Sequence, residues 1–133
     1  MRAGTWLPVT GSGGDAFERV FRVRPELYEG YRAFHDQIVR ESGFDAGLVG
    51  RCGARVTWLL TAVGDEPVAV DALERAVFAY ADAFVRDPHG VTDEHVAALR
   101  AFLSVPQVVG LTELLALLDG FTRFRLILGA GAA

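Results

Sequence analysis

Residues 71–129, DALERAVFAYADAFVRDPHGVTDEHVAALRAFLSVPQVVGLTELLALLDGFTRFRLILG, read without a break as three helices, each with its start signal in place. Asp71 stands three residues before Glu74 and just ahead of an apolar-periodic run, the arrangement of a capping box with Asp as the cap. The helix this predicts begins near residue 71. It carries Leu73, Val77, Tyr80 and Phe84 on one stripe, with Glu74, Arg75, Asp82 and Arg86 mostly on other faces. Asp87-Pro88-His89-Gly90 joins a helix breaker to a turn former and closes that helix. Thr92 caps a second helix, in which Asp93 and Glu94 suit the positive end of the dipole and Val96, Leu99 and Leu103 form one stripe. Ser104, with Pro106 in the first turn, starts a third helix along Val108, Leu111, Leu114, Leu115, Leu118, Phe121 and Phe124. Apolar residues lie on most sides of this helix, which predicts a central position or one shared between subunits.

Upstream, Met1 to Gly14 lacks periodicity and contains Gly11-Ser12-Gly13-Gly14, so residues 1–14 are expected to form a flexible segment ahead of a single helical domain over 15–133. With neither a preceding strand nor a following Lys-Ser/Thr, the glycines do not form a phosphate loop. A short helix is expected over 15–23, with Phe17, Val20 and Phe21 inward. Pro25 suits the first turn of a helix to about Glu41 with Leu27, Tyr31, Phe34 and Ile38 on its buried side. Asp45 caps the next, to about Val63. Gly47, Gly50 and Gly53 recur there at every third position, each costing ~1 kcal/mol relative to alanine and expected to admit a close helix or a ligand. No stretch alternates with a period of two, so the chain is expected to be all-α, a bundle of about five main helices.

The composition narrows the chemistry. A chain of 133 residues suits one domain and buries roughly two-thirds of its unfolded surface. Hydrophobic residues make up 51%, enough that part of the apolar surface is expected at an interface. No run approaches the ~20 consecutive apolar residues of a membrane span, and no basic segment leads into a signal-like apolar core, so a cytoplasmic location without membrane contact is expected. One cysteine allows no internal disulfide and no two-cysteine zinc or redox motif. A net charge of −4 without a basic cluster argues against nucleic acid. All thirteen cations are arginine, so Schiff-base lysine chemistry and a P-loop are excluded for these residues. His35, His89 and His95 are isolated and have no metal-ligand spacing, and no cofactor is expected.

The run from Asp71 to Phe84, then Val91 to Arg100, then Leu111 to Leu118, with Arg123 six residues before Gly129, resembles the C-terminal half of the carboxymuconolactone decarboxylase and alkylhydroperoxidase D-like family. Pro25-Glu-Leu-Tyr28 and the Leu48–Leu60 helix, with Ala54-Arg55-Val56, resemble the family's preceding helices more loosely. The resemblance implies a helical bundle with pockets between helices and a homo-oligomer. It also marks what is absent. Peroxidase-type members carry Cys-x-x-Cys-x-x-x-His after the arginine helix and a glutamate shortly before the arginine. Here Gly50 stands at the glutamate position and residues 61–70 hold neither Cys nor His, so a two-cysteine peroxidase mechanism is excluded.

Few residues remain as candidates for chemistry. His35 is the best-placed acid or base by type, one residue off the expected apolar stripe, with Tyr80, Asp82 and Glu74 as further acid-base candidates. Arg51 and Arg55, four apart, share a helix face where they would hold a substrate carboxylate or else pair with Glu41, Glu74 or Asp82. Trp58, with Tyr80, would line a pocket between the second and third long helices. Cys52 lies on an apolar line, as a small hydrophobe or else a nucleophile at the substrate-binding site. Two classes of function stay open: a cofactor-free lyase or isomerase of a small organic molecule, and a non-catalytic small-molecule-binding or assembly protein on the same scaffold.

Overall fold

The structure, a computed structural model, describes Trp6, Leu7 and residues 13–130. Apart from Trp6, Leu7, Gly13 and Gly14, the flexible segment expected over residues 1–14 lies outside the described residues. Within them the chain is all-α: α1 (Ala16–Phe21), α2 (Pro25–Glu41), α3 (Ala46–Thr61), α4 (Ala72–Arg86), α5 (Asp93–Arg100) and α6 (Val105–Ile127), with a single 3₁₀ turn at Pro88–Gly90.

Side chains satisfy the helix starts where the sequence places them. Asp45 accepts from the Leu48 amide at 2.7 Å, and Asp71 from that of Glu74 at 2.8 Å. Ser104 and Gln107 close a reciprocal box at 2.9 and 3.3 Å, and His95 replaces the usual Glu or Gln in a second box with Thr92. At Asp71 the box is only half made. Glu74 turns its carboxylate to Arg51 at 2.7 Å and the Val70 amide at 3.3 Å instead of closing back on the cap.

α6 is the common packing partner, touching α2, α3, α4 and α5. Its Leu111 and Leu115 join Val56, Val77, Ala81 and Leu99 in a core without solvent contact, and Leu114 meets Ile38 of α2. Phe17, Phe21, Tyr28 and Tyr31 form an aromatic cluster with Phe121 and Phe124, where the Tyr31–Phe121 and Phe21–Phe124 centroids lie 4.4 and 4.9 Å apart. By length and composition α6 is apolar enough to cross a membrane, with a mean hydropathy of 1.2 over 18 residues. In this fold four helices pack on it. Past its end the chain turns at Gly129 (φ +68), where a Cβ would overlap the indole of Trp6, whose amide donates to Leu128 O at 3.0 Å.

Two local expectations are corrected. The inward face of α2 is Tyr28, Tyr31, His35 and Ile38; Leu27 and Phe34 are 52% and 47% exposed. Both stripes have helical spacing, and the aromatic cluster with α1 and α6 selects the one that buries tyrosine. The glycines of α3 do not form a contact ridge either. A Cβ on Gly50 would meet nothing within 4 Å, and one on Gly53 only Leu118 at an ordinary 3.7 Å. Positions three apart in a helix drift around its axis, so no single neighbour lies along all of them.

Candidate functional site

α2 and α3 both pack on α6, and between them lies a cleft of ≈ 460 Å³. Leu117, Leu118, Phe121, Thr122, Arg125 and Leu126 of α6 form its floor. Tyr31 and His35 stand on the α2 wall. Gly53, Thr57 and Thr61 stand on the α3 wall, and Val63 follows at its mouth. Gly53 leaves open the volume that a larger side chain would take beside Leu118. Thr61 donates to Thr57 O at 2.8 Å and accepts from the Val63 amide at 3.2 Å, which fixes the end of α3 at the rim.

His35 is the one acid-base candidate that reaches this cleft. Its Nδ1 lies 3.1 Å from Asp36 Oδ1, and this hydrogen bond holds the Asp36 carboxyl below its ordinary range. Its ring is 5.9 Å from that of Tyr31. With Nδ1 engaged by a carboxylate, Nε2 is the nitrogen left for a ligand or a proton. Tyr31 is pushed upward by burial, with the charge of Arg125 opposing.

The remaining candidates lie on the other side of α3, against α4. Arg55, 7% exposed, donates from Nε and Nη2 to the two oxygens of Asp82 at 2.8 and 2.6 Å, and from Nη1 to Glu66 and the Pro67 carbonyl, both at 3.0 Å. These bonds, with Asp82 foremost, raise its already high pKa further. Arg51 donates to Glu74 and to Val68 O. Trp58 and Phe78 flank the Arg55 guanidinium, with centroids at 5.3 and 5.4 Å. Two of the three expected acidic partners, Glu74 and Asp82, are thus the ones engaged. The arginines hold the α3–α4 connection.

Tyr80 is buried, its hydroxyl 2.7 Å from Thr112 Oγ1, and tethers α4 to α6. Cys52 is 1% exposed, and burial, with Glu74 second, pushes its thiol up to about 12. A thiol so placed is neutral at pH 7 and behaves as a small hydrophobe. The pocket expected between the second and third long helices, lined by Trp58 and Tyr80, is occupied by this core and its ion pairs. The cleft lies instead on the opposite side of α3. Among the described residues no group of three His, Cys, Asp or Glu side chains is placed to hold a metal ion.

Arg125 is the cleft residue that the sequence reading passed over, although the signal is present. Leu114, Leu118 and Phe121 form a stripe whose next member at helical spacing is Arg125, a cation where a fourth apolar residue would stand. The chain matches no protein-family model, no curated protein and no solved structure.

Proposed function

We propose that the chain binds a small organic molecule in the α2–α3–α6 cleft, on a helical scaffold of the carboxymuconolactone decarboxylase-like kind. One observation carries this: a cleft of ≈ 460 Å³, within the range of small-ligand sites, has a mainly apolar floor and a few polar groups on each of its three helices, Tyr31 and His35 on α2, Thr57 and Thr61 on α3, Thr122 and Arg125 on α6. The arginines and acids of the α3–α4 face are already engaged with one another and are assigned a structural role.

Blocking the cleft tests this. Gly53→Phe places a ring where a Cβ meets only Leu118. Native mass spectrometry of the purified chain is expected to show a retained small molecule that the folded variant has lost. Equal retention by both proteins would count against the cleft.

The His35–Asp36 pair favours a second reading, in which the same cleft performs cofactor-free lyase or isomerase chemistry with His35 as the acid-base group. Incubation with metabolite extract of the source organism would then show a compound losing carbon dioxide or water, or changing retention at constant mass. His35→Gln is expected to stop that conversion while leaving ligand retention in place. Conversion at an unchanged rate in the variant would remove His35 from the chemistry.

A further inference from the structure

A second, more open pocket of ≈ 270 Å³ lies between α1, α2 and the end of α6. Tyr31, His35 and Arg125 line both, so they stand between a mainly apolar pocket and a mainly polar one. The charged groups around the polar chamber are not equivalent. Each acid there already has a partner: Asp15 accepts from the Glu18 amide at 2.9 Å, Glu18 from Arg22 at 3.0 Å, and Asp36 is bonded to His35. Arg32 donates to the Tyr28 hydroxyl at 3.1 Å.

Arg125, like Arg32, makes no ion pair among the described residues, but of the two it alone lines both pockets, and its guanidinium lies 3.8 Å from the centroid of the Phe17 ring. Beside it stands the Tyr31 phenol, on which the Arg125 charge acts to oppose the upward shift from burial. An arginine carries five N–H donors in a planar fork, so stacking on an aromatic face and meeting one phenol leaves most of its donors unused. Among the three residues shared by the two pockets, Arg125 thus carries a charge without an ion pair, while the Asp15, Glu18 and Asp36 carboxylates line the second pocket only.

Granting the small-molecule reading above, we infer that the cleft takes an amphiphilic organic carboxylate. Its chain or ring lies among Leu117, Leu118 and Phe121, and its carboxylate on the Arg125 fork beside Tyr31 and His35. Apolar contact supplies affinity that does not distinguish between head groups. The arginine supplies the choice of head group, because a bidentate carboxylate is the ligand its donor geometry fits.

The test compares decanoate with 1-decanol, which share a chain and differ in charge, by titration calorimetry at pH 7.5. Decanoate is expected to bind about tenfold or more tighter, as one charge-assisted hydrogen-bonded pair provides. Arg125→Gln is expected to abolish that preference while decanol binding persists, and Arg125→Lys to keep part of it. Rising salt is expected to weaken decanoate and leave decanol unchanged, a check on the unaltered chain should the Gln variant fail to fold. Equal affinities for decanoate and decanol would overturn the carboxylate assignment and leave the cleft standing. Binding of neither would also overturn the assignment, while the Gly53→Phe comparison decides the cleft separately.

Discussion

Arg55 shows how much of this molecule's charge is committed to structure. A nearly buried guanidinium with two carboxylates and a carbonyl on its fork has little left to offer a substrate. Removing one member of such a pair strands the other in a low-dielectric site. Arg55→Ala is therefore expected to lower stability by about 3 kcal/mol in urea denaturation, with Asp82→Asn lowering it less because Asp82 is more exposed. A double-mutant cycle checks that the two losses do not add. Cys52 makes the opposite kind of prediction, through a group that stays uncharged. Its thiol, raised from 9.0 to about 12, favours the neutral form in the folded state, so the folded chain holds a proton that the unfolded chain releases. The sign follows: this contribution is complete below pH 9 and is lost as pH rises toward 12. Cys52→Ala is expected to flatten the fall of the urea midpoint across that window. Alkylation at pH 8 is expected to require unfolding, and rapid labelling of the native chain would refute the burial argument.

At the scale of the helix, local chemistry and packing give separate expectations. Ser104 and Gln107 satisfy two amides at the start of the helix that every neighbour uses, so Ser104→Ala is expected to cost about 1 kcal/mol. Gly50 lies in the interior of α3 with open space where a side chain would begin. Gly50→Ala is therefore expected to stabilise the chain by about 0.5–1 kcal/mol, through helix propensity alone. A thermal melt of both variants checks the two signs together, and a destabilised Gly50→Ala would mean that something approaches that face. The orientation of α2 belongs to this scale as well. Leu27, Tyr31, Phe34 and Ile38 were legible as an apolar stripe; Tyr31 and Ile38 do face inward, with Tyr28 and His35 in place of Leu27 and Phe34. Rings from α1 and α6 form a complementary surface for the tyrosines, and that complementarity outweighs aliphatic burial. The same rotation brings His35 to the cleft.

Across the whole molecule, α6 organises the packing, and its apolar residues face both inward and outward. Leu111, Leu114 and Leu115 are fully buried, whereas Val105, Val109 and Ile127 are 58%, 59% and 73% exposed. A charge at Leu115 would therefore act on the core and is expected to unfold the chain. Self-association through α6, which we propose as the assembly mode, is tested at the exposed positions. Val105→Glu with Val109→Glu is expected to lower the sedimentation coefficient without loss of helical circular dichroism. An unchanged coefficient would remove this face of α6 from any assembly.

The helices were legible in the sequence because their causes are local: Asp45, Asp71, Thr92 and Ser104 cap amides three residues away, and apolar residues recur within each turn. So was the pairing of Arg51 and Arg55 with acids of α4, since two arginines on one face need partners and only a few acids stand within reach. The cleft was not legible. α6 is apolar on most sides, so its own pattern selects no face, and only the placement of α2 and α3 on it leaves a gap along Leu118, Phe121 and Arg125. The sequence by itself determined which segments are helical and which charges require partners. Tertiary packing alone decided which faces meet, because that choice depends on complementary shapes contributed by residues far apart in the chain. It kept His35 at the candidate site, in the cleft between α2 and α3, and left the candidates of the α3–α4 face in structural contacts.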